Sequence, residues 1–288
     1  MANEINTITK LENKLINANS LIISERPTSN DYAFMHTILC QVGLPRSKVE
    51  GKIFERRNGK ALLRIEAGAI YNGKDFIDQD IPYGAFARLV LAYLSSYAVK
   101  SKTKEIPIGR STRDFLLKLN ADDGGKHHKS LWKQITSLAA CRLQLGYGTA
   151  TYNGQPIATF DAWVSTNNKQ ESLWPGIITL SADFYNTLTA AAVPVDFRAY
   201  LALKKSALQM DIYTMLVHRL FRIEGEAVFI PWQAVKEQFG QEYKNSRDFK
   251  KTFAECLKSV LTVYPQANVK IIEGGVQLHS SPPPIAKI

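Results

Sequence analysis

Cysteine is scarce, three residues in 288, and Cys40, Cys141 and Cys256 stand far apart. They form no CxxC pair and no Cys/His cluster, so neither a disulfide framework nor a zinc site is expected. They read instead as small buried hydrophobes of a protein in the reducing cytoplasm. No run approaches the ~18 to 20 uninterrupted apolar residues of a membrane span. The opening MANEINTITKLENK is polar rather than basic and then apolar, so neither membrane insertion nor secretion is expected. Enzyme signatures are missing as well. A phosphate loop at Gly125-Lys126 would need glycine where Asn120 stands and Ser or Thr where His127 stands, and one at Gly59-Lys60 fails at Phe54. There is no GxSxG. His127 and His128 are adjacent, without the intervening residue of the alternating pair that metal-dependent nicking enzymes use, and His36, His218 and His279 are scattered. No catalytic residue, cofactor or metal ligand is expected.

What is present is a globular composition, 45% hydrophobic and 22% charged, of a length that suits one large domain or two medium ones. Thirty-six Lys and Arg outnumber 26 Asp and Glu, a net charge of +10, and a field of that sign gathers polyanions. Nucleic acid is the leading partner, and a merely solvated basic surface is the alternative.

Residues 1–81 read as an N-terminal extension packed on the first of two folded units. They comprise a polar amphipathic start (Ile8, Leu11, Leu15, Ile16), a helix around Tyr32 to Val42, and strands at Ala61–Ile65 and Ala69–Phe76 that turn at Asn72-Gly73. After Pro82, the residues Phe86, Leu89, Val90, Tyr93, Leu94 and Tyr97 keep the spacing of one helix face. A strand at Glu105–Ile108 comes next, then a helix capped by Ser111, a third from about His128 to Ala140, and a hairpin expected to turn at Tyr152–Gln155. The order recurs from Ser206: a capped helix, a strand at Val228–Ile230, a helix from Pro231 that Gly240 ends, a helix capped by Asn245 or Ser246, and a hairpin through Glu273-Gly274-Gly275. Helix, strand, helix, helix, hairpin is the order of a winged helix-turn-helix, whose third helix enters the major groove. The expected fold is therefore α+β: an extension (1–81) and tandem winged-helix domains (82–175 and 176–288).

Basic residues fall on the third helix of each unit. In the first, Arg110, Ser111, Arg113, Lys126, His127, His128, Lys129, Lys133 and Gln134 are the candidate contacts, with lysine suited to phosphate and glutamine to adenine. In the second they are Lys244, Asn245, Ser246, Arg247, Lys250 and Lys251. A solvated face explains either cluster alone. Two clusters at matching positions favour two DNA-reading surfaces. Tyrosines and Trp132, Trp163, Trp174 and Trp232 are better explained by packing than by base stacking.

The chain also resembles the plasmid-encoded RepA-type replication initiators. The resemblance is carried by Ile81-Pro82-Tyr83-Gly84 with Arg88 to Leu94, by Glu105 to Ser111, and by Phe115-Leu116 followed by Gly124-Gly125-Lys126. It continues in Ser181 to Tyr185, Pro194 to Asp196, Ile230-Pro231-Trp232, Gln238-Phe239-Gly240, Arg247 to Lys251, Val263-Tyr264-Pro265 and Ser281-Pro282-Pro283. It spans roughly residues 50 to 285. The resemblance implies a non-enzymatic protein that binds repeats in plasmid origin DNA, helps open the duplex and draws in host initiation and helicase-loading proteins. Binding of repeats as a monomer, and copy control through a homodimer at its own promoter, are further possibilities it carries. A winged-helix transcriptional repressor and, against the missing alternating histidines, a metal-dependent origin nickase are the alternatives.

Overall fold

The computed structural model describes residues 10–160 and 174–285; the expectations for Ile8 and Trp163 fall outside them. The first helix, α1 (Lys10–Ser24), buries Leu15 and half-buries Ala18 and Ile22. The helix expected at Tyr32 to Val42 is instead a strand, β1 (Tyr32–His36), followed by turns. Its inward residues Ala33 and Met35 alternate with Tyr32 and Phe34, which is strand period, and its partner lies far along the chain. Strands β2 (Ile53–Asn58) and β3 (Ala61–Glu66) pair, and β4 (Ala69–Tyr71) and β5 (Phe76–Asp78) form the expected hairpin. There the Asn72 amide oxygen accepts from the backbone N–H groups of Lys74 and Asp75 at 2.9 and 2.8 Å.

Helix α2 (Gly84–Ser101) is apolar around most of its circumference and is accordingly buried on nearly every side. After it come β6 (Glu105–Pro107), α3 (Thr112–Lys118), α4 (Gly125–Ala140), β7 (Arg142–Tyr147), β8 (Ala150–Gly154), β9 (Ile157–Phe160) and β10 (Ile177–Leu180). The β7–β8 turn falls at Gly148-Thr149, not at 152–155, because Gly148 takes the positive φ the turn needs. Asn153 lies within β8, where its side chain accepts from Arg142 Nε at 2.8 Å. The β7–β8 hairpin completes the sheet β2-β3-β7-β8, whereas β10 pairs with both β6 and β9. A capped helix, α5 (Ala182–Ala190), leads to two elements not anticipated from sequence: β11 (Ala192–Asp196), the partner of β1, and α6 (Phe197–Ala202).

The second half runs α7 (Ala207–Arg219), β12 (Val228–Pro231), α8 (Trp232–Phe239), α9 (Ser246–Val263), β13 (Val269–Ile272) and β14 (Gly275–Leu278), with strand order β12-β14-β13. Ser206 caps α7 by accepting from the Gln209 N–H, as expected. At the hairpin tip a Cβ on Gly275 would stand 2.1 Å from the Ile230 carbonyl oxygen, so only glycine lets β12 and β14 approach.

Nine α-helices and five small sheets among the described residues thus make a mixed α/β structure around one contiguous core. Its centre is the contact of α2 with α7. There Arg88 donates from Nε and Nη2 to both Asp211 oxygens at 2.6 Å each. Its remaining N–H groups go to the carbonyls of Leu44, Pro45 and Gly84, so every donor of this buried guanidinium is satisfied. Burial opposes its charge; Asp211 outweighs that and raises the Arg88 pKa. The N-terminal segment reaches both halves: β3 joins β7, while α1 packs on α9 and α6.

Candidate nucleic-acid interface

In the first half, Ser111 Oγ accepts from the Asp114 N–H at 3.1 Å and starts α3, and the Asp114 carboxylate accepts from the Arg110 N–H at 2.9 Å. Gly109, at φ +94°, makes this approach possible: a Cβ there would lie 2.6 Å from that of Asp114. Helix α4 begins at Gly125, three residues earlier than expected, so Lys126, His127 and His128 lie in its first turn.

Part of the charge in this region is answered from within the protein. Asp123 takes His128 Nε2 at 2.5 Å and Arg113 Nε at 3.0 Å; these two partners hold its carboxyl below the ordinary aspartate range. His127 Nδ1 donates to the Asp122 carbonyl at 2.8 Å, and its ring lies 5.6 Å from that of Phe86. Lys133 is held by Asp80 at 2.7 Å and lies over the Tyr83 ring; the Asp80 hydrogen bond raises its pKa. Gln134, expected on an exposed flank, is buried, and its Oε1 accepts from the Tyr83 N–H at 2.7 Å where α2 begins. Its position, three residues after Leu131 and one before Ile135, is itself on the core stripe, which is the signal that would have placed it inward. Arg110, Lys126 and Lys129 remain exposed and without an ion-pair partner among the described residues.

In the second half, α9 presses Phe249, Phe253, Cys256, Leu257 and Val260 into the core. Asn245 caps it by accepting from the Arg247 N–H at 2.8 Å, and Ser246 Oγ accepts from Lys236 Nζ at 2.9 Å. Lys250 lies over the Trp232 ring at 5.5 Å, an attraction of the cation–π kind, beside a 480 Å³ groove between α8 and α9. Lys244, Arg247, Lys250, Lys251 and Lys258 are exposed, and none makes an ion pair among the described residues. The two helices therefore differ in degree: on α4, His128 and Lys133 are paired while Lys126 and Lys129 are not, and on α9 no cation makes an ion pair among the described residues. The β13–β14 hairpin beside α9 leaves Phe229, Ile271 and Ile272 half exposed, with Lys270 on the same sheet.

The turn between α8 and α9 is fastened by groups that sequence reasoning missed. Glu242 takes Arg46 at 2.7 Å and the fully buried Arg56 at 2.8 Å. Arg56 also donates to the carbonyls of Gly43 and Leu44, and Gln238 to that of Gln41. Burial would raise the Glu242 carboxyl, but the Arg46 hydrogen bond and the charges of Arg56 and Arg46 hold it at about 2. Among the described residues no three His, Cys, Asp or Glu side chains are placed to hold a metal, and no helix is long and apolar enough to cross a membrane.

This arrangement, two pairs of successive helices (α3–α4 and α8–α9) among small sheets with cations on exposed positions, is that of a mixed α/β protein. It is similar in fold to domains 2 and 3 of RctB, at 12% identity and a TM-score of 0.53 for the selenomethionine crystal structure, covering 85% of this chain and 97% of that one. A second RctB structure, of residues 155–483, aligns at 12% identity and a TM-score of 0.46, over 84% of this chain and 94% of that one. No curated protein sequence matches the chain. The family pattern of the plasmid encoded RepA protein matches residues 81–234, more than half of the length, and the chain belongs to that family of plasmid replication proteins.

Proposed function

We propose that the protein initiates plasmid replication by binding repeated origin sites sequence-specifically, as a binding protein rather than an enzyme. Each half acts as a winged-helix module, with α4 and α9 as the third helices. For the second half, support comes from β12 pairing with the last strand of the hairpin, so that β13–β14 stands as a wing beside α9. The first half departs from this order, because the hairpin after α4, β7–β8, joins β3, and β6 pairs instead with β10, beyond residue 175, which also pairs with β9. The observation that carries the reading is α9: one face is core, and its exposed positions bear Arg247, Lys250, Lys251 and Lys258 beside only Asp248 and Glu255, with none of the four cations in an ion pair among the described residues. Such a face suits an external polyanion.

With His128 and Lys133 of α4 already paired, α9 supplies most of the base reading, while Arg110, Lys126 and Lys129 supply phosphate contacts. Family membership supports a role in the cytoplasm at a plasmid origin, duplex opening without nucleotide chemistry, and recruitment of host initiation and helicase-loading proteins. Homodimerisation and copy control at the protein's own promoter belong to the same reading.

A nuclease footprint on the DNA flanking the gene tests it. Repeated protected blocks are expected, and Arg247→Ala and Lys251→Ala should each lower the logarithmic salt slope of binding by about one. A single block over the promoter would favour a repressor, and unchanged slopes would remove α9 from the DNA.

A further inference from the structure

Outside both third helices, a groove of 330 Å³ opens between α1, α6 and the α3–α4 turn. Lys14 comes from α1, Lys204 and Lys205 from the segment after α6, and the Asn120 carbonyl from the turn, where it accepts from Lys204 Nζ. Arg198 also borders the groove, but its guanidinium is committed to both Asp196 oxygens. Lys14 and Lys205 are exposed and make no ion pair among the described residues. Burial lowers the Lys204 pKa, Lys14 and Lys205 lower it further, and Asp122 alone opposes them. Like charges gathered in this way repel unless an anion lies among them.

The position of the groove is as informative as its charge. Helix α1 lines the groove and packs on α9, and the turn that leads into α4 lines it too. The groove therefore adjoins both the neighbour of α9 and the entry to α4.

We infer that this groove is a third DNA contact, which takes backbone phosphates of the duplex between the segments bound by α4 and α9. It rests on the DNA-binding reading above and adds a site to it. Lys14, Lys204 and Lys205 provide point charges suited to phosphate, with no geometry for reading bases, so the contact adds affinity and salt dependence and no sequence preference.

The test is fluorescence anisotropy of the full chain on labelled mixed-sequence duplexes of about 40 and about 12 base pairs, titrated from roughly 50 to 200 mM salt. Lys14→Gln with Lys205→Gln is compared with Lys60→Gln plus Lys74→Gln, which removes equal charge from exposed turns elsewhere. On the long duplex the groove variant should lose nearly two from the salt slope and roughly tenfold in affinity at 0.1 M salt, and the control variant neither. Lys205→Gln alone should lose about half as much. On the short duplex, which one module fills, the groove variant should match the unaltered protein. Equal loss in groove and control variants, equal loss on both duplexes, or no loss while the unaltered protein binds would each overturn the groove and leave the function reading standing. Failure of the unaltered protein to bind any duplex at low salt would overturn both.

Discussion

Glu242→Gln is the most informative single change, because it keeps the shape of the side chain and removes the charge that fastens the α8–α9 turn. The folded chain holds this carboxyl at about 2 against an ordinary 4.5. At 1.36 kcal/mol per unit that difference is worth about 3 kcal/mol. The Glu242 side chain is 27% exposed, and water screens part of the attraction, so about 2 kcal/mol is the expected loss at neutral pH. For a chain of this size that lowers the melting temperature by roughly 3 °C. Because the folded pKa is depressed, the contribution is complete above the unfolded value of 4.5 and disappears as the pH falls toward 2. Urea unfolding of both proteins, followed by circular dichroism from pH 7 to pH 3, should show a gap that closes steadily below pH 4.5. A gap of the same size at every pH, or none at pH 7, would refute the assignment of that energy to the Arg46–Glu242–Arg56 cluster.

Asp211→Asn leaves the buried Arg88 guanidinium without its counter-charge and should cost about 3 to 5 kcal/mol, seen as a lower urea midpoint; a loss under 1 kcal/mol would contradict the central role of this pair. Lys133→Ala should leave the salt slope of DNA binding unchanged, because Asp80 already holds that ammonium, and a fall equal to that of Lys251→Ala would show that Lys133 exchanges Asp80 for phosphate. Gly275→Ala must force β12 from β14 and should lower both stability and DNA affinity; a variant that melts like the parent would mean the hairpin tip relaxes freely. Burial holds His36 and His218 at about 4, so the unfolded chain takes up protons the folded one refuses, and stability should fall from pH 6.5 toward 4. In His36→Gln that decline should flatten, and an identical profile would assign it to other groups.

Much of the second half was legible in the sequence because its signals are local. The stripe from Phe249 to Val260, the cap at Asn245, the stop at Gly240 and the turn at Gly274 each depend on neighbours within a few residues. Where the signal is distant, sequence reading failed. β1 is a strand because β11 lies beside it, 160 residues on, and nothing between Tyr32 and His36 announces that partner. The basic character of α4 and α9 was visible, but not the difference between them, since Asp80, Asp123 and Tyr83 reach α4 from outside the helix. Arg88 did give a local sign: a charge inside an otherwise apolar helix needs a buried partner, though only the fold supplies Asp211.

The packing of α1 on α9 also fixes an order of events during synthesis. The ribosome finishes α1 more than two hundred residues before the helix it rests on exists, so at 5 to 20 residues per second Leu15 and Ile22 wait roughly 10 to 45 s for cover. A growing chain therefore carries the apolar stripe of α1 without its α9 cover until late in translation, with α6 the first of its two neighbours to be made. The N-terminal helix therefore finds its full set of neighbours only when the last helix emerges.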